Sequence, residues 1–206
     1  MAEPFPIGVL ISGRGTNLAA IHAAIAAGTL NARIVAVCSN RPEAAGVAWA
    51  REQGLPVVLF ARADYPSRAA AQEAMAQHLQ RVGARLVVLA GWDQILAPGF
   101  VAAFAGCVLN VHPSLLPAFA GSMHAIEEAL AYGVKQTGCT IHYVTDEIDT
   151  GPIVLQAAVP VVEGDTAETL LARVHEQEHR LLPRAIALHA AGRLRVRDRW
   201  VQILDD

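Results

Sequence analysis

The chain has 206 residues, of which 53% are hydrophobic and 17% are charged, and its formal net charge is −3. A chain of this length can bury roughly 70% of its unfolded surface in one domain, and its composition excludes a disordered or fibrous protein. The small negative charge argues against nucleic-acid binding through a broad basic surface.

Short β-branched runs alternate with alanine-rich stretches in the first half of the chain. Strands are predicted at 7–12, 34–39, 57–60, 86–90 and 107–112. Helices are predicted between them at 17–27, 42–53 and 67–82. Strands that alternate with helices of about 10 to 15 residues form βαβ units. We therefore predict an α/β fold, with a Rossmann-like, mostly parallel sheet and helices on both faces.

The pattern changes after His112. Segments 139–145 and 153–162 are strand-like, and the polar loop between them allows antiparallel pairing. A helix is predicted at 166–191. The tail then alternates arginines with apolar residues, which predicts a charged edge strand; the arginines are Arg193, Arg195, Arg197 and Arg199. The C-terminal part is therefore expected to be mixed or antiparallel.

The three cysteines are few, odd in number and set among apolar residues, which predicts reduced, buried thiols; they are Cys38, Cys107 and Cys139. The most apolar long window, 86–112, is interrupted by Asp93 and Pro98, so it is not expected to span a membrane. The N-terminus shows no secretory signal. These features predict a soluble, cytoplasmic protein.

A glycine-containing turn at 12–17 connects the first strand to the first helix. Glycines let a backbone approach a ligand closely, and a helix N-terminus offers N–H groups to phosphate. A dinucleotide fingerprint would need a third glycine at Leu18 and an acidic residue near Asn40. The turn favours a single phosphate over a nicotinamide cofactor, although a tight turn without a ligand also needs glycine.

The segment 175–179 matches the H-E-x-x-H pattern on a predicted helix, where histidines at i and i+4 share a face. A zinc hydrolase using His175 and His179 is therefore an alternative. Its third ligand is missing from the sequence pattern, because Leu182 and Ala185 replace the glycine and histidine of the extended motif. The prediction is that no metal is bound.

The strongest candidate site is at the end of the fifth predicted strand. Asn110 and His112 are two residues apart on that strand, so their side chains point to the same side. Open α/β sheets bind ligands at the carboxyl ends of strands, and an amide beside an imidazole suits oxyanion stabilisation with proton transfer. A histidine and an asparagine that only cap the strand are the alternative. A carboxylate to orient His112 is expected from Asp146, Glu147 or Asp149.

Several motifs occur in an order and spacing that resemble the phosphoribosylglycinamide formyltransferase family. They are the segments 12–17, 109–117, 149–152, 164–165 and 173–179. The resemblance covers nearly the whole chain and implies a single formyltransferase domain over 1–206. Within it, the resemblance implies a nucleotide-binding half at about 1–112 and a half at about 113–206 that completes the folate site.

The resemblance implies direct transfer of a formyl group from the co-substrate 10-formyltetrahydrofolate to the amine of 5′-phosphoribosylglycinamide, in de novo purine biosynthesis. Asn110, His112 and Asp149 match the family's catalytic trio, with Asn110 and His112 stabilising the oxyanion. We expect Asp149 to raise the pKa of His112, so that the imidazolium persists to higher pH.

Binding residues are also implied by the resemblance. The match to substrate-binding positions covers Gly15, Thr16, Asn17, His175, Glu176, Gln177 and Glu178, with the first three on the phosphate loop and Glu178 on the ribose. The match to folate-binding positions covers Arg68, Asp93, Gln94, Ile95, Leu96, Asn110, Thr145, Asp146, Glu147 and Ile148. The chain departs from the family where Asp93 and Gln94 replace a Met-Arg pair, and where Ala118 and Ala120 replace a basic residue and a proline.

Relatives that share the trio carry a further domain: C-terminal in tRNA formyltransferases and N-terminal in formyltetrahydrofolate hydrolases. Neither is expected to fit in 206 residues, so the ribonucleotide is the favoured substrate. Another folate-dependent formyltransferase or hydrolase and a non-catalytic nucleotide-binding module are the alternatives. The expected partners are small molecules, without nucleic acid or membrane, and the sequence leaves a homodimer open.

Overall fold

The computed structural model describes residues 3–205. Its strands in that range are Phe5–Ile11 (β1), Ala32–Ser39 (β2), Val57–Leu59 (β3), Leu86–Leu89 (β4), Val108–His112 (β5), Gln136–Tyr143 (β6), Ile153–Pro160 (β7), Leu194–Arg197 (β8) and Trp200–Ile203 (β9). Its α-helices there are Thr16–Ala26 (α1), Ala45–Glu52 (α2), Arg68–Arg81 (α3), Pro98–Ala103 (α4), Ala125–Tyr132 (α5) and Ala167–Ala190 (α6). A short 3₁₀ helix covers Arg62–Asp64.

The strands form a seven-stranded sheet, in the order β3-β2-β1-β4-β5-β6-β7, and a separate β8-β9 hairpin. β1 pairs in parallel with both β2 and β4, and β3 pairs in parallel with β2. The four residues of β4 are buried, as expected of a parallel strand covered on both faces. The mostly parallel α/β fold predicted from the sequence is confirmed.

The chain divides into two compact units, one up to Leu109 and one from Asn110 onward. In the second unit, β6 and β7 pair antiparallel, as their sequences predicted. The tail differs from the predicted single edge strand. It turns at Asp198, whose φ is 54°, and β9 pairs antiparallel with β8. Arg199 therefore lies in the turn and not on the strand face.

Two short helices were missed by the sequence patterns. α4 has six residues and begins with Pro98, and α5 has eight residues and ends before Gly133. Such short segments show few turns of apolar periodicity. α2 begins at Ala45, three residues later than predicted, because residues before it form a turn in which the Ala44 N–H donates to the Arg41 carbonyl.

The cysteine prediction holds for two of the three residues. Cys38 and Cys139 are buried, and burial raises the pKa of each thiol to about 12. Cys107 is only half-buried, because it lies outside the sheet, in the turn that leads into β5. All three thiols are free. Among the helices of residues 3–205, none is long and apolar enough to cross a membrane.

Candidate active site

Asn110, His112 and Asp149 lie together in the second unit. The first two are on β5, and Asp149 is on the loop between β6 and β7. Asp149 Oδ2 is 3.3 Å from His112 Nδ1, and Asp149 Oδ1 is 3.4 Å from Asn110 Nδ2. The side chains of His112 and Asp149 are only 7% and 11% exposed. A single carboxylate thus contacts both the amide and the imidazole, and it does so with little exposure to solvent.

The position of Asp149 depends on the backbone around it. Its φ of 52° lies in the left-handed region, which aspartate tolerates better than most residues. Gly151 follows, where a Cβ would lie 1.7 Å from the Tyr143 carbonyl oxygen, so only glycine fits. The Gly121 N–H donates to Asp149 Oδ2 at 2.8 Å. The loop therefore holds the carboxylate in one orientation.

Both ring nitrogens of His112 face hydrogen-bond acceptors. Nδ1 faces Asp149, and Nε2 is 3.0 Å from the Phe119 carbonyl oxygen. Only the imidazolium donates to both acceptors. Burial nevertheless lowers the pKa of His112 below 6.5, and the Asp149 carboxylate and the Phe119 carbonyl only partly oppose it. A neutral ring therefore satisfies one acceptor at a time.

The sequence-based expectation for His112 holds for the effect of Asp149 but leaves out the effect of burial. Asp149 acts on the pKa of His112 in the predicted upward direction, but the larger effect is burial, which the sequence pattern did not reveal. Asp149 itself stays ionised at neutral pH. Burial raises its pKa, whereas the neighbouring His142, the hydrogen bond from the Gly121 N–H and the neighbouring His112 lower it below 3.8 overall.

His142, on β6, is a site residue that the sequence reasoning missed. Its Nδ1 is 2.9 Å from the Tyr143 carbonyl oxygen, so Nδ1 carries the proton. Nε2 of the neutral ring then accepts from Asn110 Nδ2, at 3.1 Å. His142 thereby fixes which end of the Asn110 amide faces Asp149. Polar residues at every second position of buried β6, Thr140 and His142, were the available signal.

The segment 113–121, which follows β5, contacts the trio through Phe119 and Gly121. Buried Thr140 holds it: its Oγ1 donates to the Ser114 carbonyl at 2.7 Å and accepts from the Leu116 N–H at 3.1 Å. The acceptor facing His112 and the donor facing Asp149 thus come from one anchored segment. Ala118 and Ala120, the positions that depart from the family, lie inside it.

In the first unit, the predicted phosphate loop precedes α1. Gly15 has a φ of 78°, and a Cβ there would lie 2.8 Å from Gly46 Cα. No side chain caps α1, and its first turn contains no acidic residue. The start of the helix therefore carries the partial positive charge and N–H groups that suit a phosphate.

A closed network joins the carboxyl ends of β1, β2 and β4. Ser12 Oγ donates to Asn40 Oδ1 at 2.7 Å, and Asn40 Nδ2 donates to Asp93 Oδ1 at 2.8 Å. The Asp93 N–H donates back to Ser12 Oγ at 3.1 Å. Arg41 forms an ion pair with the other oxygen of Asp93. Asp93, one of the residues that depart from the family pattern, is thus fixed at its backbone and its carboxylate.

The remaining predicted binding residues lie on α6, at the start of α3 and on the β6–β7 loop. On α6, Glu178 is buried, and His175 Nε2 is 4.0 Å from its Oε2. Gln177 accepts from Arg180, and Glu176 is exposed. The exposed positions are Arg68, Thr145, Asp146, Glu147 and Ile148.

The zinc alternative has little geometric support. His175 and His179 do share a helix face, with their rings stacked and 5.8 Å between centroids. Within residues 3–205, however, there is no group of three His, Cys, Asp or Glu side chains that could hold a metal ion.

The low pKa of His112 predicts a loss of stability in mild acid. In the folded state burial keeps the His112 ring neutral, whereas the unfolded chain protonates it readily. The stabilisation is therefore complete above pH 6.5 and is lost as pH falls through the pKa of His112 in the folded state. Burial lowers the pKa of His179 in the same direction. Urea unfolding at pH 7.5 and 5.5 should therefore show a smaller free energy of unfolding at the lower pH, and His179→Gln should reduce the difference. An unfolding free energy independent of pH over this range would contradict the assignment.

A carboxylate and an imidazole with little exposure, beside a half-buried amide at the end of a strand in a mostly parallel α/β sheet, define an enzyme-like site. The family described as "Formyl transferase" matches residues 6–186. Phosphoribosylglycinamide formyltransferase from Haemophilus influenzae is 41% identical over 192 residues, which are 93% of this chain and 90% of that protein. The trifunctional purine biosynthetic protein adenosine-3 of Drosophila pseudoobscura pseudoobscura is 43% identical over 92% of this chain, but the match spans only 14% of that protein's length.

Among solved structures, glycinamide ribonucleotide transformylase 1 from Symbiobacterium toebii superposes with a TM-score of 0.96 and 48% identity. The match covers 100% of this chain and 96% of that one. The chain is an enzyme of the formyl transferase family.

Proposed function

We propose that this enzyme transfers the formyl group of 10-formyltetrahydrofolate to the amine of 5′-phosphoribosylglycinamide, a step of de novo purine biosynthesis. The observation that carries the proposal is the contact of Asp149 with both His112 Nδ1 and Asn110 Nδ2. The contact places His112, which can accept a proton, beside Asn110, which can donate an amide hydrogen bond. The names of the relatives with high coverage support the choice of substrates.

The reaction moves one proton and exchanges one bond. The amine nitrogen attacks the formyl carbon, a C–N bond forms, and negative charge develops on the formyl oxygen. The bond from that carbon to N10 of the folate then breaks. The attacking nitrogen loses a proton, and N10 gains one. The protein must therefore stabilise an oxyanion and carry a proton between two nitrogens.

His112 is suited to carry the proton. With Nδ1–H donated to Asp149, Nε2 of the neutral ring is a base without a proton. It faces the Phe119 carbonyl oxygen, which is also an acceptor, so the two atoms form no hydrogen bond in this state. The substrate amine would replace that carbonyl and give its proton to Nε2. The imidazolium so formed is stabilised by Asp149 and returns the proton to N10.

Asn110 is suited to hold the oxyanion together with the imidazolium. Its two amide hydrogens face His142 Nε2, at 3.1 Å, and Asp149 Oδ1, at 3.4 Å. The longer bond is the weaker one, so the developing oxyanion would take the hydrogen that faces Asp149. His142 would keep the amide in place during this exchange.

We assign the binding roles from the family motifs of the sequence. We assign the phosphate to the backbone at Gly15, Thr16 and Asn17, and the ribose to Glu178, with residues 175–177 beside it. We assign the folate to Arg68 and to the segments 93–96 and 145–148. The nucleotide-binding half at about 1–112 and the half at about 113–206 are proposed with these roles. The partners would be small molecules only, without nucleic acid or membrane, in the cytoplasm, and sedimentation would distinguish a monomer from a homodimer.

Substituting Gly15 by alanine tests the phosphate assignment. A Cβ that is 2.8 Å from Gly46 Cα must push the loop away from α2. The KM for the ribonucleotide should rise about tenfold or more, as expected from ~1.5–3 kcal/mol for a lost hydrogen bond to a charged group. The KM for the folate should change little. Gly28→Ala is the control, because Gly28 has a similar φ of 71° and no atom within 4 Å of its Cβ position. Equal changes in both KM values would refute the assignment.

The proposed function is tested by turnover with and without the acceptor. Formation of tetrahydrofolate from 10-formyltetrahydrofolate, followed by absorbance, should require 5′-phosphoribosylglycinamide. Tetrahydrofolate released at the same rate without the ribonucleotide would identify a hydrolase instead. Zinc added or removed by chelation should not change the rate.

A further inference from the structure

Gln72, on α3, is a buried polar residue that the mechanism does not use. Only 1% of it is exposed. Its Nε2 donates to the Ile95 carbonyl at 3.1 Å and more weakly to Gln94 Oε1 at 3.4 Å. Its Oε1 accepts from the Ala97 N–H at 2.5 Å. One side-chain amide thus satisfies two backbone groups of an irregular segment.

The other end of the same segment is held independently. The Asp93 N–H donates to Ser12 Oγ, and the Asp93 carboxylate is bound by Asn40 and Arg41. Pro98 then begins α4, with Ala97 in the extended conformation that a following proline favours. The bonds of Asp93 therefore fix the first residue of segment 93–97, and the bonds from Gln72 fix the residues near its end.

The fixed groups alternate with unpaired ones. Gln72 hydrogen-bonds the Ile95 carbonyl and the Ala97 N–H. Between them, no group in residues 3–205 hydrogen-bonds the N–H or the carbonyl of Leu96, although its side chain is buried. Peptide groups that lack partners beside a buried residue are available to a ligand with both donors and acceptors.

We propose that Gln72 is a positioning residue, which pre-orients the backbone of Leu96 to bind the pterin ring of the folate. This rests on the proposed function, which places the folate at 93–96. A pterin ring carries donors and acceptors along one edge, and a backbone that is already fixed binds such an edge without a further ordering cost. Gln72 thus contributes to folate affinity without touching the folate.

The test is Gln72→Met, a substitution that keeps the volume and removes the amide. The KM for 10-formyltetrahydrofolate should rise at least about tenfold, the result of losing the two bonds that hold the backbone. The KM for the ribonucleotide and kcat should stay within about twofold. Gln77→Ala is the matched control on the same helix: Gln77 is exposed, and within residues 3–205 its side chain hydrogen-bonds only Glu73, at 3.5 Å. It should change neither KM.

A second measurement separates this proposal from the proposed function. Calorimetric titration with tetrahydrofolate needs no turnover, and its Kd should weaken in Gln72→Met by the same factor as the KM. If the wild-type protein binds tetrahydrofolate in a Gln72-dependent way but does not formylate the ribonucleotide, only the proposed function fails. An unchanged Kd in folded Gln72→Met, or no binding by the wild type, would overturn the positioning role. Similar rises in both KM values together with a fall in kcat would also overturn it, since they indicate a general structural effect.

Discussion

Turnover by Asp149→Asn is expected to fall by about 10²–10⁴ near neutral pH, the range typical of a positioned acid–base group. The substitution keeps the shape and the acceptor for the Gly121 N–H but removes the charge that opposes burial at His112. The pKa of His112 should then fall further, and the acidic limb of the pH–rate profile, which reflects protonation of the neutral ring, should move to lower pH. The measurement is kcat between pH 5 and 9.

Asp146→Asn is the matched control for this prediction. Asp146 lies on the same loop but is exposed, so its substitution should leave kcat and the pH profile unchanged within about twofold. Ribonucleotide binding should also change little in Asp149→Asn. If Asp146→Asn abolishes activity while Asp149→Asn keeps more than a tenth of it, the carboxylate is misassigned within the loop.

Asn110→Leu should lower kcat by about 10²–10³, the usual loss for one oxyanion donor. Leucine has a similar shape but offers no N–H to the formyl oxygen, and it leaves His142 Nε2 without its donor. The effect should be on kcat more than on either KM, because the donor acts on charge that develops only in the transition state. Steady-state kinetics with both substrates varied will measure it.

Thr137→Val provides the control for a buried substitution in the second unit. Thr137 is 2% exposed, and its Oγ1 has no hydrogen-bond partner among the described residues. Replacing it with an isosteric apolar residue should leave kcat unchanged. A similar loss of kcat in Thr137→Val and Asn110→Leu would mean that activity responds to any change in this unit, and the donor role would be lost.

The parallel sheet was predictable because its cause is local. Buried strands such as β4 are continuous apolar runs, and the helices between them carry a recognisable period. The strand end with Asn110 and His112 followed from the period of two in a β-strand. Asp149 was one of three carboxylates on its loop, and only the family resemblance singled it out; the structure places it within 3.4 Å of both partners.

Other features of the site depend on tertiary contacts that no sequence pattern records. The Phe119 carbonyl is a backbone group, so no side chain in the sequence indicates that it lies beside His112 Nε2. The same is true of the depth of burial that decides the direction of the pKa of His112. Gln72 looks like an ordinary residue of an alanine- and glutamine-rich helix until the fold brings the Ile95 carbonyl and the Ala97 N–H to its amide.

In the proposed mechanism the formyl group passes directly between two nitrogens, without a covalent enzyme intermediate and without water as the acceptor. This mechanism is tested most directly by a single turnover with 10-formyltetrahydrofolate labelled in the formyl carbon, quenched in acid at short times. We expect all transferred label on the ribonucleotide amide, none bound to protein, and the same product formed more slowly by Asp149→Asn. Label found in formate or attached to the protein would contradict this mechanism.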